Sequence, residues 1–430
     1  MKSVLSLFDV FVILIEVTYQ LTLVKVVTLD LIPINSHVTL AVLMMCCYIK
    51  RFGLCFQFKK LMTRSFILVV FLLIYFFDIF QAIFADPLSS LARLFCAINM
   101  FLFMAYVYNL IIYSNDNRIS AIQKISRPYI YFALYNVVIV ILAAFLIGAG
   151  IISATDNEIA VNSITRVDVE AGQVYYFPKY ISIVTSNSRL FSLQGIPMVT
   201  GLSHEPHVLN YFLIPSFFIL LSINKFQKYK FLVYGVMFIT LLFATSTTVL
   251  VCLGLMFVID SIWSIIINRK LVNIIPMVLL VAVILYFGGT ALELLQSEFI
   301  RKTVQDTDSM GYSQNILEYL LSPETLFGEG NAPRQFGYTM TTGNVGFVTF
   351  ILDVSFFISI LFCSLKLVFN RDSSIHYLGL ASLYCILHTL KVPILFYSYP
   401  LYGFLLLINV YFNVNHKRYN NHINKNLAIS

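Results

Sequence analysis

The residues of this chain best suited to chemistry sit in two polar stretches. The first is Gly201-Leu-Ser-His-Glu-Pro-His207. His204 and His207 are three apart, so on a helix they share a face. Glu205-Pro206 places a carboxylate and a proline at a helix start. Two readings of that pair are open. One is ordinary capping, since proline and an acid both suit the first turn. The other makes Glu205 or His204 a base toward an acceptor hydroxyl, or a ligand to a substrate. A metal held by His204 and His207 would need a third ligand, and none is evident. The second stretch holds Arg301-Lys302 and Arg334, the latter among Gly328, Gly330 and Gly337. A guanidinium in a glycine-rich turn suits an anion, because backbone amides and the cation can both reach it. The alternative is a solvated or headgroup-facing charge. Arg189 and Arg334 each precede an apolar run, which puts both at one depth and favours the paired reading. Asp306-Thr-Asp308 has the spacing of a divalent-cation site, but two acids one residue apart occur often by chance. The chain has no Walker loop, no Ser–His–Asp motif and no CxxC, so ATP hydrolysis and redox chemistry have no support.

These residues must be positioned by an unusually apolar chain. Of 430 residues, 59% are hydrophobic and 11% are charged, against roughly 25% charged in soluble domains. Mean hydropathy is +0.85. No polar linker divides the chain, so it reads as a single membrane domain over 1–430. The net charge is +7. The cations fall in short clusters between apolar runs, which a bilayer explains better than nucleic acid does. The seven Cys have no paired metal spacing and read as small buried hydrophobes. The first apolar run contains Asp9 and Glu16 and has no small-residue cleavage site after it, so it reads as an uncleaved span.

A helix needs roughly 20 apolar residues to cross the hydrocarbon core. Twelve such spans are expected, at 4–24, 30–49, 65–85, 91–113, 129–152, 205–223, 230–244, 248–267, 272–290, 342–369, 374–390 and 394–413. With the N-terminus inside, nineteen of the 28 Lys and Arg fall on the inner side and eight on the outer, with Arg93 just within a span. Every inner connection is basic, from Lys50-Arg51 to Lys417-Arg418. Both termini are then cytoplasmic. The fold expected is all-α: a polytopic membrane protein of about twelve transmembrane helices with two long outer (periplasmic) loops, 153–204 and 291–341. Long loops on a compact protein usually carry function. Within the spans, Asp78, Arg93 and Asp353 stand out, because intramembrane charge is costly. Two readings of Arg93 are open, pairing with Asp78 or snorkelling to the headgroups, and Asp353 faces a cavity or a polar helix contact.

The order of features resembles one family. A large outer loop with Arg189 leads to the Gly201–His207 helix start. The Ser/Thr-rich turn Ala244-Thr-Ser-Thr-Thr248 follows, then a second loop with Leu326-Phe-Gly-Glu-Gly330, then Gly343-Asn-Val-Gly346 entering a late span. This is similar to the bacterial O-antigen polymerase (Wzy) and O-antigen ligase superfamily, over the last two thirds of the chain. Two departures matter. Thr247 stands where the family often has an Arg, and Gly343 stands where ligase-like members often have a His before Asn344. The second departure favours a polymerase over a ligase. The resemblance implies inverting, metal-independent glycosyl transfer on undecaprenyl diphosphate-linked oligosaccharide, with no cofactor and with a chain-length regulator protein as a candidate partner. It implies Arg189 and Arg334 on the diphosphate with Arg301 or Arg166 assisting, Glu205 or His204 as the base, and His207 and Asn344 toward the substrate. A ligase-type transferase and a lipid-linked oligosaccharide flippase are the rival readings. A flippase would be expected to have short outer loops and internally repeated halves, and neither is seen.

Overall fold

The computed structural model describes residues 5–19, 36–85, 87–151, 174–176, 183–185, 198–203, 206–244, 247–267, 347–389 and 400–427. Among them the chain is mostly helical. The helices are α1 (Leu7–Tyr19), α2 (Ser36–Phe52), α3 (Phe58–Met62), α4 (Phe66–Ala85), α5 (Pro87–Tyr113), α6 (Arg118–Ile125) and α7 (Arg127–Gly148). After three short strands come α8 (Pro206–Leu221), α9 (Asn224–Gln227), α10 (Lys230–Phe243), α11 (Thr247–Ile266), α12 (Phe347–Val368), α13 (Ser373–Thr389) and α14 (Pro400–Leu427). Each expected span except 272–290, which lies outside the described residues, overlaps one of these helices. By length and composition, the stretches Arg93–Tyr113, Arg118–Gly148 and Ile351–Val368 suffice to cross a membrane, and Phe66–Phe77, Leu209–Leu221, Lys230–Leu241, Cys252–Ile266 and Pro400–Val414 are shorter apolar helices.

The helices are apolar on both sides. α8, α13 and the first half of α14 are buried almost throughout and form the centre. Around them, α7 turns Tyr131, Val138, Leu142 and Phe145 outward, and α10 turns out Phe231, Leu232 and Phe238. Water does not tolerate so continuous an exposed apolar surface, whereas lipid does. Polar backbone is satisfied within each helix, as the hydrocarbon core demands. Helix crossings are close where side chains are small. A Cβ on Gly379 of α13 would lie 2.6 Å from the backbone nitrogen of Val368, so glycine sets the α12–α13 approach.

The structure departs from or extends the expectations at three points. The fold is not all-α: the loop 153–204 contributes a three-stranded antiparallel sheet, β1 (Val174–Tyr176), β2 (Ile183–Thr185) and β3 (Met198–Gly201), in that order. A bulge between Ile183 and Val184 shifts the β2–β3 register. The last helix, whose apolar part Pro400–Val414 agrees with the end of the expected span, runs on to Leu427 through a polar, Asn-rich segment. That segment is helical beyond its apolar part because Pro and Gly are absent from it. The cysteines are all free, as expected, but not all buried: Cys46 is exposed on α2, where a thiol suits a lipid-facing surface as well as a core.

The helix ends define two poles. One pole gathers the C-terminus of α2, α3, the C-terminus of α5, α6, the N-termini of α10 and α13 and the C-terminus of α12. Tyr48 and Asn109 join α2 to α5 there. The Gln123 amide of α6 donates to the Ser222 carbonyl at the end of α8 (2.7 Å) and to Ser374 Oγ at the start of α13 (3.4 Å). Lys50, Arg51, Lys59, Lys60, Arg64, Arg118, Lys124, Arg127, Lys225, Lys228, Lys230, Lys366 and Arg371 all lie at this pole. The other pole carries β3, the C-termini of α7, α10 and α13, and the N-termini of α8 and α12. Among the described residues Arg93 is the one Lys or Arg on that half.

Candidate functional site

The residues singled out from the sequence, Arg166, Arg189, His204, Glu205, Arg301, Arg334 and Asn344, lie outside the described residues, as do Asp306 and Asp308. His207 is in the first turn of α8, but its side chain is outside the description, and so is that of Asp78 on α4. Pro206 is the first residue of α8, where its fixed φ and missing N–H fit. Arg93 is half-buried and Asp353 wholly buried, and neither is without a partner.

What the structure does show is the ground on which the first stretch stands. Gly201 closes β3 with φ +57°, in the left-handed region. That turn redirects the chain from the sheet into α8. The Asn136 side chain of α7 grips the turn: its Oδ1 accepts from the Leu202 N–H at 3.3 Å while its Nδ2 donates to the Phe132 carbonyl at 3.0 Å. A Cβ on residue 201 would meet Asn136 Oδ1 at 2.7 Å, so only glycine permits both the turn and the grip. The Ser203 N–H donates to the Thr200 carbonyl (3.0 Å), which tightens the corner one residue before His204. Beneath it, Val199 and Leu209 pack on Val140, Ala143 and Ala144 of α7 and on Ala244.

The same pole brings in the Ser/Thr-rich turn. The Asn210 amide of α8 donates to the Ala244 carbonyl at 2.6 Å, joining the start of α8 to the end of α10. Ala244 opens the segment Ala244–Thr248, so two features separated by about forty residues meet at one helix start. The N-terminus of α12, which follows Gly343–Gly346, belongs to this pole too. One turn below the corner, His388 of α13 lies between Tyr211 of α8 (5.5 Å between ring centroids) and Tyr384 of α13 (5.4 Å). All three are buried. Ser203 Oγ and the Tyr384 hydroxyl are buried without a hydrogen-bond partner. A buried polar atom left unpaired costs on the order of 1–3 kcal/mol, so these two groups set polar chemistry at this pole too, without the cations that crowd the other.

The basic pole is built differently. Asp9 receives a two-point grip from Arg51 (2.9 and 3.0 Å) and the Tyr106 hydroxyl at 2.6 Å, joining α1, α2 and α5. Asp260 of α11 pairs with Lys230 and His376 and accepts from the Tyr234 hydroxyl at 2.8 Å. His376 stacks on Trp263 at 3.9 Å, and Trp263 donates to the Asn370 carbonyl at 2.7 Å. These are closed networks with their partners supplied from within. They tie helix ends together. Outside the spans, Lys124 hydrogen-bonds Asp116 at 2.8 Å and holds its carboxyl below the usual range. Among the described residues no three His, Cys, Asp or Glu side chains group as a metal site.

Sequence reasoning missed Asn136, Asn210, Asp260 and His376. Asp260 was legible by the rule applied to Asp78 and Asp353, since it too is an acid inside an apolar run. The two asparagines carry no such signal, because a polar uncharged residue in a span is common. Among the described residues the fold is mostly helical, and three of its apolar stretches are long enough to cross a membrane. Comparison with protein-family models, curated proteins and solved structures returns no match for this chain.

Proposed function

We propose that this chain polymerises undecaprenyl diphosphate-linked oligosaccharide repeat units into a long surface polysaccharide. It does so as a polytopic glycosyltransferase of about twelve spans in the bacterial inner membrane. Both termini are cytoplasmic, and the loops 153–204 and 291–341 lie outside. The observation that carries the reading is the meeting of Gly201–Ser203, the Pro206 helix start and the Ala244 turn at one pole, opposite the cations. Cations concentrate on the cytoplasmic side of membrane proteins. The pole opposite them is then the outer one, where a lipid-linked sugar would be presented with its tail still in the bilayer.

The chemistry follows from the charges. An acceptor hydroxyl oxygen attacks the anomeric carbon from the face opposite the diphosphate. The bond from that carbon to the diphosphate oxygen breaks, and undecaprenyl diphosphate leaves with the electron pair. Arg189 and Arg334, with Arg301 or Arg166, neutralise the leaving group, a role guanidinium fills through two-point hydrogen bonding without a metal. Glu205 or His204 takes the hydroxyl proton. His207 and Asn344 contact the sugars, and no cofactor enters. Gly343 in the place of the ligase-type histidine favours repeat-unit polymerisation over transfer to a lipid core.

The test is the surface glycan ladder. A deletion strain should carry single repeat units. Arg189→Ala and Arg334→Ala, each expressed at the normal level, should reproduce that phenotype. Unchanged long chains from both variants would sink the diphosphate site. Loss of all surface repeats in the deletion strain would point to a flippase, and long chains left on the carrier would point to a ligase.

A further inference from the structure

Glu16 is a carboxyl in an unusual place. It sits on α1 seven residues beyond Asp9, about 10 Å further from the basic pole at 1.5 Å per residue. It is 2% exposed. Asp9 has Arg51 as its counter-ion, but no cation lies beside Glu16 among the described residues. Its neighbours on α1 are Val12, Ile13 and Val17, all buried. One hydrogen bond reaches it: the Asn99 amide of α5 donates to Glu16 Oε2 at 2.9 Å. Two further polar atoms close to this point are buried and unpartnered, Asn99 Oδ1 and the hydroxyl of Tyr129 on α7.

Hydrogen-bond accounting decides what Glu16 is. A carboxylate is an acceptor only, so an ionised Glu16 would stand beside the unfilled acceptor Asn99 Oδ1 with a single neutral donor to stabilise its charge. An unpaired ion in such surroundings is far costlier than a neutral group. A carboxylic acid has one O–H to give. It can accept from Asn99 Nδ2 on one oxygen and donate to Asn99 Oδ1 from the other, which closes an acid–amide ring and fills the vacant acceptor. We propose that Glu16 and Asn99 form an intramembrane proton-binding site, with Glu16 held as the neutral acid. The ionisable groups facing it are Cys47 on α2 and Tyr129 on α7, each within electrostatic reach. α5 presents the amide of Asn99, and Pro400–Val414 of α14 contributes the phenols of Tyr402 and Tyr411 but no carboxyl and no cation. Among the described residues no facing group supplies a positive charge, so release of the proton requires α1 to move or water to enter. The bundle thus carries a proton that is exchanged only when α1 shifts against α5. This rests on α1, α5 and α7 alone and is independent of the glycosyl-transfer reading.

Infrared spectra of the purified protein in H₂O and D₂O at neutral pH test it. Wild type should show the carbonyl stretch of a protonated carboxyl that shifts in D₂O and is missing from Glu16→Gln. Glutamine copies the neutral acid's hydrogen bonds to Asn99, so that variant should fold. Asn99→Leu should move the same band by removing its partner. A Glu16→Gln difference spectrum that loses carboxylate bands instead would overturn the proposal, as would a band unmoved in Asn99→Leu. Stability against pH is the second measurement. A group folded as the acid and unfolded as the carboxylate releases one proton on unfolding, so native stability falls as pH rises above the unfolded titration. The unfolding equilibrium constant then climbs tenfold per pH unit, and Glu16→Gln should remove that tenfold slope. Parallel curves for the two proteins would overturn the site.

Discussion

Replacing Gly201 by alanine probes the corner that leads from β3 into α8. Two costs combine there. The backbone at φ +57° puts a Cβ in the left-handed region, at about 1–2 kcal/mol. The same Cβ falls 2.7 Å from Asn136 Oδ1, well inside contact distance, so the amide must swing away. That breaks its bond to the Leu202 N–H and strands a buried donor, at about 1–3 kcal/mol. The expected destabilisation is about 2–5 kcal/mol, the sum of those two terms. A double-mutant cycle separates them. Asn136→Ala alone should cost about 1–3 kcal/mol, since it also leaves Leu202 unpaired. In the double variant the new methyl enters the space the amide left, so only the backbone term is added. The two changes should therefore be less than additive, with a coupling of about 1–3 kcal/mol. Equilibrium unfolding in mixed micelles measures this. Additive costs, or a Gly201→Ala variant as stable as wild type, would refute the picture of an asparagine gripping a glycine turn. On the proposed function, glycan chain length in the same variants should shorten, because the corner directly precedes His204 and Glu205 in the chain.

Other perturbations have equally definite outcomes. Asp260→Asn leaves Lys230 and His376 facing a neutral amide inside the bundle, and breaking such a pair from one side costs roughly 3–5 kcal/mol; a Lys230→Met/Asp260→Leu double change should recover much of that in the same unfolding assay. Gly379→Ala drives a methyl against the α12 backbone, so the two helices must separate, with a loss of about 1–3 kcal/mol or more; a cross-link between cysteines placed on α12 and α13 should form more slowly than in the parent. Asp116 is held below its ordinary titration by Lys124. Its contribution is therefore present above the unfolded carboxyl's titration and lost as pH falls through the folded value. Asp116→Asn should leave stability at neutral pH little changed, since exposed pairs contribute little, and should reduce the slope of the acid limb.

The apolar runs located the helices because a bilayer leaves a chain few alternatives: backbone polar groups must be satisfied within the segment. The runs 65–85, 230–244, 248–267 and 374–390 match α4, α10, α11 and α13 to within about two residues. The clustering of Lys and Arg on alternate connections was legible for a similar reason, since charge cannot hide in such a chain. The resemblance to the polymerases rested on short motifs, two of which the structure brings together through Asn210 and the Ala244 carbonyl.

Packing was not legible, and the reason lies in the same apolarity. A helix hydrophobic all round, as α7 and α8 are, has no polar face to say which side meets its neighbour. Tertiary structure alone decided that α8 and α13 lie at the centre, that Asn136 grips Gly201, and that Asp260 joins Lys230 to His376. The small sheet escaped for want of length: strands of three or four residues show too little alternation to separate them from loop. Glu16 shows the division most plainly. The sequence alone placed a carboxyl inside an apolar helix. Only the fold set Asn99 against it and, among the described residues, no cation, which is the ground of the proposed proton site.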